Sequence, residues 1–246
     1  MTPIPHVANA SDLSRADDVQ ALFNRIAPMY DQLNHWLSLG QHSTWKQMAI
    51  KWSAPFPGAT CLDVCCGSGD LTRLLAKAVG PTGHVTGLDF AAAQLERAKH
   101  ITYRKLGYPP IDWIEGDALD LPFTGNHFDC ITMGYGLRNV ANIQTALQEL
   151  LRVLKPGCTV AILDFHRPQQ PEMLQFQQWC LKQVVVPLAE QFGLREEYAY
   201  IWPSLAQFPQ GPEQVEQARR VGFVNVTHYP IVGGMMGILV AQKPID

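Results

Sequence analysis

From residue 59 onward, short apolar strands alternate with amphipathic helices, and this alternation limits the fold more than any other feature. Strand-like segments lie at 59–64, 84–90, 111–116, 127–136 and 158–165, and helical patterns lie at 70–79, 91–106, 142–154 and 171–191. Alternation at this spacing predicts a parallel sheet with helices on both faces. A helix at 212–221 and two strands at 223–230 and 235–242, joined by Gly233-Gly234, predict a closing antiparallel hairpin. The predicted fold is an α/β, Rossmann-like fold with seven strands.

The length of 246 residues suits one domain built on this sheet. We predict a single domain over 1–246. It divides into N-terminal lid helices over 1–55, a ligand-binding core over 56–165, a helical and aromatic insertion over 166–210, and the C-terminal helix and hairpin over 211–246.

The composition excludes several classes of protein. The net charge of -3 without runs of Lys or Arg argues against a nucleic-acid partner. No segment approaches the roughly 18 apolar residues of a membrane span, and the N-terminus lacks the pattern of a signal peptide. We therefore expect a cytoplasmic protein. The six cysteines include no C-x-x-C pair and no His at zinc spacing, so we expect reduced thiols and no metal.

The loop LDVCCGSGDL, residues 62–71, joins the first predicted strand to the first helix of the sheet. Gly67 and Gly69 permit a sharp turn and a close approach of the backbone to a ligand, and the helix beginning at Asp70 points its N–H groups into the same crevice. A dinucleotide fingerprint would need a third glycine where Thr72 stands. Thr72 therefore disfavours an NAD-dependent dehydrogenase, and the two glycines alone are weak evidence for any ligand.

An aspartate ends each of the first three predicted strands, where ligands of such sheets bind. Asp63 is suited to a cationic amino-acid group, Asp89 to the two ribose hydroxyls, and Asp117 with Ala118 to an adenine amino group. A single aspartate here is more often a turn or cap residue. Three of them beside the glycine loop indicate S-adenosyl-L-methionine as the ligand.

At this point the residues resemble a known family. LDVCCGSGDL, GLDF, EGDALDLPF, FDCITMGYGLRNV and LRVLKPG look like the motifs of class I S-adenosylmethionine-dependent methyltransferases. FNRIAPMYDQLNHWLSLGQHSTWK (23–46) and GYGLRNV (134–140) resemble, more narrowly, the ubiquinone/menaquinone C-methyltransferase family. CCGSGD, ILDFHRP, EEYAYIWPSL and HYPIVGGMMGILV look most like its phylloquinone branch, which methylates the ring of demethylphylloquinol.

The resemblance covers nearly the whole chain and implies a set of site residues. It adds Ser68 and Gly134 to the cofactor contacts, Arg138 as the catalytic arginine and Tyr30 as a quinone-side tyrosine. The predicted cofactor site comprises Asp63, Gly67, Ser68, Gly69, Asp89, Phe90, Asp117, Ala118 and Gly134. The sequence departs from the family at Cys66, Ser68, Ser43 and Ala199, which replace a glycine, a threonine and two arginines. Lys46 is placed to supply the charge missing at Ser43.

Methylation of an aromatic carbon requires a phenolate, because a phenol with a pKa near 10 leaves the ring a poor nucleophile. We predict that Arg138 stabilises this phenolate; the alternative is an arginine paired with a carboxylate at the end of the sheet. His166 and Asp164 are candidate proton acceptors. Tyr30 approaches from the lid, and the predicted substrate contacts are Asp31, Tyr135, Asn139 and Tyr200. The alternative to a substrate-side role for Tyr30 and Asp31 is a structural role in helix packing and capping.

The resemblance implies C-methylation of a prenylated naphthoquinol, demethylphylloquinol, in the last step of phylloquinone biosynthesis. Alternatives are demethylmenaquinol, the benzoquinol precursor of ubiquinone, a non-quinone acceptor, and a non-catalytic cofactor-binding assembly subunit. The aromatic-rich segment 165–210 is either core or a channel for the lipid tail. Contact with the membrane that holds the quinol, and pairing into a homodimer, are further expectations.

Overall fold

A computed structural model describes residue 20, residues 40–104 and residues 108–245. Its strands are β1 (Thr60–Val64), β2 (His84–Asp89), β3 (Ile111–Glu115), β4 (Phe128–Gly134), β5 (Leu154–Phe165), β6 (Val224–Ile231) and β7 (Met236–Gln242). Its helices are α1 (His42–Ser53), α2 (Asp70–Val79), α3 (Ala92–Tyr103), α4 (Ile143–Val153), α5 (Pro171–Cys180), α6 (Val186–Glu190), α7 (Arg195–Ala199), α8 (Ile201–Gln207) and α9 (Gly211–Val221).

Within these residues the strands form one sheet in the order β3-β2-β1-β4-β5-β7-β6. β1 to β5 pair in parallel, and β7 runs antiparallel to both of its neighbours, β5 and β6. A short 3₁₀ turn at Val232–Gly234 joins β6 to β7. The predicted seven-stranded, mostly parallel sheet and its C-terminal antiparallel hairpin are confirmed.

The carboxyl ends of the parallel strands meet along one edge of the sheet. Val64 pairs with Leu88, Asp89 with Glu115, and Gly134 with Leu163 across the ladders. The loops after β1, β2, β3 and β4 therefore open side by side, because parallel strands in register end together.

Apolar side chains alternate between the two faces of the sheet, and each face has its own helices. Leu62 lies in a cluster with Leu147 of α4. Its neighbour in β1, Cys61, lies in a second cluster with Leu75 of α2. This alternation follows from the two-residue period of a strand, and it decides which face each residue of β1 meets.

Two regions differ from the sequence-based prediction. β5 begins at Leu154, four residues earlier than predicted, and a bulge between Phe128 and Cys130 adjusts its pairing with β4. The predicted helix at 171–191 is interrupted by a π turn at 181–185. Pro187 follows this turn and has no N–H to donate, which favours a wider turn there. In the described part of the chain, we find no helix that combines the length and apolar character needed to cross a membrane.

Candidate active site

A cavity open to solvent lies at the carboxyl edge of the sheet. Its wall comes from the loops that follow β1, β2, β3 and β4, with Lys46 of α1 and Gln94 of α3. Seven of the nine predicted cofactor residues line this cavity; they are Gly67, Ser68, Asp89, Phe90, Asp117, Ala118 and Gly134. Asp63 and Gly69 do not.

The glycine loop holds its two glycines in left-handed backbone conformations, with φ of 54° at Gly67 and 85° at Gly69. A Cβ at Gly67 would meet nothing within 4 Å, so this backbone faces open space in the cavity. A Cβ at Gly69 would come 2.4 Å from the ring of Trp113. Gly69 is therefore required by the turn and by packing against Trp113, and the prediction that it lines the ligand site is not supported.

Asp89 is buried at the end of β2, and both of its carboxylate oxygens accept hydrogen bonds from the backbone. Oδ2 accepts from the Gly67 N–H at 2.7 Å, and Oδ1 accepts from the Ala91 N–H at 2.9 Å. Burial raises the pKa of Asp89, and these N–H donors oppose the shift. Each carboxylate oxygen has a second lone pair, so Asp89 can hold the glycine loop and still accept from hydroxyl groups of a ligand.

Asp117 and Ala118 form the cavity wall after β3. Asp117 is exposed, and its Oδ1 accepts the Leu119 N–H at 2.9 Å, which closes a turn. Gly134 lines the cavity at the end of β4, and a Cβ there would lie 2.6 Å from Leu71 Cδ1. The glycine at the end of β4 therefore leaves room for Leu71 beside the cavity.

The structure corrects the role predicted for Asp63, which is fully buried below the cavity. Its carboxylate accepts the hydroxyl groups of Thr72 at 2.7 Å and Thr132 at 2.8 Å. Burial raises its pKa to about 7, and these hydroxyl donors oppose the rise. Strand alternation places Asp63 on the same face as Cys61, under α2. Asp63 therefore links β1, β4 and α2 and does not line the cavity.

We expect the raised pKa of Asp63 to make stability depend on pH. Between its ordinary value of 3.8 and about 7, the folded chain holds a proton that the unfolded chain has released. The free energy of unfolding should therefore fall by about 2 kcal/mol as the pH rises from about 5 to about 7, and level off above that. Urea denaturation of the wild type and of Asp63→Asn across this range measures the effect. Asp63→Asn should lose this slope, whereas the exposed Asp120→Asn should keep it; equal slopes in all three proteins would contradict the assignment.

A charged group that the sequence interpretation missed lies at the start of α2. Asp70 lines the cavity and accepts from Lys46 Nζ and Arg73 Nη2, each at 2.6 Å. Burial acts to raise the pKa of Asp70, but the two cations lower it to about 2. Arg73 also donates to the Ser68 carbonyl at 2.7 Å, which ties the glycine loop to α2. Asp70 was interpreted only as the start of a helix, because nothing in the local sequence shows that α1 brings Lys46 to it.

Arg138 lies in a 3₁₀ turn, Leu137–Asn139, and does not line the cavity. Its Nη1 donates to Asp164 Oδ1 at 2.6 Å, its backbone N–H donates to Oδ2 at 3.0 Å, and its Nε donates to Ser204 Oγ at 3.1 Å. Asp164 also accepts the Phe165 N–H at 2.8 Å. The structure therefore matches the alternative interpretation of Arg138, an arginine paired with a carboxylate at the end of the sheet. Because both carboxylate oxygens of Asp164 accept hydrogen bonds from Arg138, the structure does not support Asp164 as a proton acceptor.

The structure also separates His166 from the cavity. His166 is 5% exposed, and both ring nitrogens have partners. Nδ1 lies 3.1 Å from the Asp164 carbonyl, and Nε2 lies 2.8 Å from Gln214 Nε2 and 2.9 Å from His228 Nε2. Burial lowers the pKa of His166, and burial followed by the His166 charge lowers that of His228 to about 4. The proton-acceptor role predicted for His166 is not supported, because α9 and β6 supply the groups that surround it.

Two of the predicted substrate contacts line the cavity. Tyr135 has a left-handed φ of 60°, its N–H donates to the Leu163 carbonyl at 2.7 Å, and its carbonyl accepts from Asn139 Nδ2 at 2.9 Å. Tyr200 does not line the cavity; burial raises its pKa, and the nearby charge of Arg138 opposes this. Tyr30 and Asp31 lie outside the described residues.

Cys65 and Cys66 line the cavity between the glycine loop and the sheet. Burial, followed by the charges of nearby carboxylates such as Asp89 and Asp63, raises the pKa of both thiols well above the ordinary value. Both thiols are therefore protonated at neutral pH and poor nucleophiles. Across the part of the chain that the structure describes, we find no cluster of three His, Cys, Asp or Glu side chains that could hold a metal ion.

Solved structures share this fold at low sequence identity. A SAM-dependent methyltransferase from Aquifex aeolicus matches with a TM-score of 0.58 and 21% identity, covering 80% of this chain and 88% of that one. A SAM-dependent methyltransferase from Thermotoga maritima, described as a possible histamine N-methyltransferase, matches with a TM-score of 0.63 and 16% identity, covering 91% and 99%. These similarities show the class I methyltransferase fold.

Curated relatives are much more similar in sequence. The 2-phytyl-1,4-naphtoquinone methyltransferase of Trichormus variabilis is 59% identical over 227 residues, which cover 92% of this chain and 99% of that protein. The chloroplastic 2-phytyl-1,4-beta-naphthoquinone methyltransferase of Arabidopsis thaliana is 48% identical over 230 residues, covering 93% and 88%. The model of the ubiE/COQ5 methyltransferase family matches residues 11–243. With the sheet, the cavity and these relatives in agreement, the chain belongs to the ubiE/COQ5 methyltransferase family.

Proposed function

We propose that this chain methylates a ring carbon of a phytylated naphthoquinol, converting demethylphylloquinol to phylloquinol in the last step of phylloquinone biosynthesis. The observation that carries the proposal is the composition of the cavity. We call its lining by Asp89, the glycine loop, Asp117, Ala118 and the Asp70–Lys46 pair the first wall, and its lining by Tyr135 and Asn139 the second wall. The high identity to relatives named for a phytyl-naphthoquinone supports this choice of acceptor.

The residues of the first wall fit S-adenosylmethionine, which supplies an electrophilic methyl group when it is bound. Asp89 can accept from the ribose hydroxyls, and Asp117 with Ala118 can meet the adenine. The oppositely charged Asp70 and Lys46, 2.6 Å apart, match the ammonium and carboxylate of the amino-acid part. The open space beside Gly67 leaves room for this ligand against the backbone.

The second wall is suited to the quinol. Loss of a proton from a ring hydroxyl makes the adjacent carbon nucleophilic. With S-adenosylmethionine bound, this carbon would take its methyl group and leave S-adenosylhomocysteine. The ring carbon would then release its proton to water, and the ring oxygen would be protonated again. Asn139 and Tyr135 can contact the ring. We propose that Arg138 is a positioning residue: its ion pair with Asp164 fixes the turn that also carries Asn139, and its charge favours the phenolate from that turn.

A transfer assay tests the proposed function directly. The full chain is incubated with methyl-labelled S-adenosylmethionine and with chemically reduced demethylphylloquinol, demethylmenaquinol and the benzoquinol precursor of ubiquinone. We expect label in demethylphylloquinol at the highest kcat/KM, and none in the same compound kept oxidised, because the quinone has no hydroxyl to ionise.

Each other outcome of this assay identifies an alternative. A higher kcat/KM with demethylmenaquinol or the benzoquinol would transfer the assignment to that quinol. Equal rates on quinol and quinone would contradict the phenolate mechanism. If no quinol becomes labelled, the remaining alternatives are methylation of a non-quinone acceptor and a role as a non-catalytic assembly subunit.

We further propose that the protein works in the cytoplasm, next to the membrane that holds its quinol. Pairing into a homodimer and the absence of a nucleic-acid partner stay predictions. Chemical crosslinking of the purified full chain, with and without a DNA or RNA probe, measures both associations.

A further inference from the structure

The helical segment 173–189 exposes large apolar side chains to solvent. Phe176, Trp179 and Val184 are 49%, 56% and 45% exposed. The rings of Phe176 and Trp179 are stacked, with centroids 6.3 Å apart and planes at 19°. Rings stacked on each other in solvent form a continuous apolar surface, and such surfaces mark sites of interaction.

The segment 173–189 carries positive charge only. Residues 173–189 contain a single charged side chain, the exposed Lys182, and no acidic residue. Acidic residues return only at its two ends, Glu172 and Glu190, and Glu190 pairs with Arg195 at 2.8 Å. We call the exposed side chains of Phe176 and Trp179 on α5, with Lys182 and Val184 on the π turn that follows it, the α5 face. Aromatic side chains are enriched where proteins meet the membrane interface, and a cation beside them can pair with anionic headgroups.

The α5 face belongs to the same end of the molecule as the cavity. α5 begins shortly after β5 ends at the carboxyl edge of the sheet, and Gln177 Nε2 donates to the His166 carbonyl at 2.8 Å, which fixes the helix at the exit of that strand. A following helix packs against the turn that carries Asn139, since Ser204 of α8 accepts from Arg138 Nε. The α5 face therefore lies on elements that follow the carboxyl edge of the sheet, where the cavity opens.

We propose that the α5 face docks on the surface of a lipid bilayer, with Phe176, Trp179 and Val184 at the boundary between headgroups and acyl chains. Lys182 extends to anionic headgroups, because its charge remains in water while its stem covers apolar surface. This inference rests on the proposed function, since a phytylated quinol resides in the bilayer. A neutral protein partner would leave Lys182 as the only charge on the contact. An anionic bilayer complements it and also holds the substrate.

Vesicle flotation of the full chain tests the docking surface without any turnover. Vesicles of phosphatidylcholine are compared with vesicles of phosphatidylcholine mixed with phosphatidylglycerol. We expect binding to be stronger on the anionic vesicles. The double variant Phe176→Ser/Trp179→Ser should bind at least about tenfold more weakly to both. Lys182→Gln should remove only the preference for phosphatidylglycerol.

The matched control is Phe56→Ser. Phe56 is 51% exposed, close to the value for Trp179, but it lies just before β1 at the opposite edge of the sheet. This variant should bind vesicles like the wild type. Thermal unfolding of each variant should match the wild type, because all the replaced side chains are exposed. Equal vesicle binding by the double variant and the wild type would overturn the proposal.

Two further measurements separate the docking surface from the proposed function. Methylation of a tail-less naphthoquinol in solution should be unchanged in the double variant, whereas methylation of the phytylated quinol in vesicles should fall with binding. A wild type that methylates the phytylated quinol in detergent but does not bind vesicles would overturn the docking surface and leave the function intact. If the double variant instead converts a dimer to a monomer in light scattering and still binds vesicles, the α5 face pairs two copies of the chain.

Discussion

Replacing Arg138 with alanine is expected to lower the free energy of unfolding by about 3–5 kcal/mol and the rate of methyl transfer by about 10²–10³. The side chains of Arg138 and Asp164 are 7% and 1% exposed, and they form a 2.6 Å ion pair. Removing the guanidinium leaves the buried Asp164 carboxylate without its cationic partner. An unpaired buried charge is the main cost of breaking such an ion pair. The turn that carries Asn139 also loses the side-chain anchor to Ser204.

Urea denaturation and steady-state kinetics measure the two effects separately. In an Arg138→Ala/Asp164→Asn double variant, much of the lost stability should return, because no buried charge is left. The rate should not return, because no positive charge is left near the phenolate. Cofactor affinity should stay nearly unchanged in both variants, since Arg138 does not line the cavity.

Arg220→Ala is the matched control for Arg138→Ala. Arg220 pairs with Glu216 at 2.9 Å on an exposed helix, with 73% of its side chain in water. This substitution should change stability by less than about 0.5 kcal/mol. A similarly small effect of Arg138→Ala on stability and rate would contradict the positioning role. Recovery of the rate in the double variant would show that the arginine serves only to neutralise Asp164.

Replacing Asp89 with alanine is expected to weaken S-adenosylmethionine binding by about 100-fold or more, which corresponds to about 3 kcal/mol. Two effects add. The ligand loses a charged acceptor for its hydroxyls, and the glycine loop loses the bond from the Gly67 N–H at 2.7 Å. Isothermal titration with S-adenosylmethionine and with S-adenosylhomocysteine measures the loss, which should be equal for the two because Asp89 is expected at the ribose.

Asp120→Ala is the control for Asp89→Ala, because Asp120 is also a carboxylate near a strand end but is exposed and does not line the cavity. Its affinity for S-adenosylmethionine should match the wild type. The conservative variant Asp89→Asn keeps an acceptor oxygen and should recover part of the affinity. Wild-type affinity in Asp89→Ala would show that this residue only shapes the loop and does not contact the ligand.

The local pattern of the chain was enough to predict much of the cavity lining. Gly67, Asp89 and Ala118 lie at the carboxyl ends of successive parallel strands, and strands in register must bring their ends to one edge. A prediction of this kind needs only the order of strands and helices along the chain. It succeeded because the ladder pairing leaves little freedom in where a strand-end loop can lie.

The sequence by itself determined the alternation of strands and helices, the glycine loop and the family, because these depend on residues that are near each other in the chain. Only the tertiary structure decided which of the strand-end side chains meet the cavity. Strand alternation places Asp63 under α2, and α9 and β6 enclose His166 with Gln214 and His228. Asp70 meets Lys46, and Arg138 meets Asp164, across 24 and 26 positions of the sequence. The orientation of a side chain depends on packing against distant segments, and no pattern within one segment contains that information.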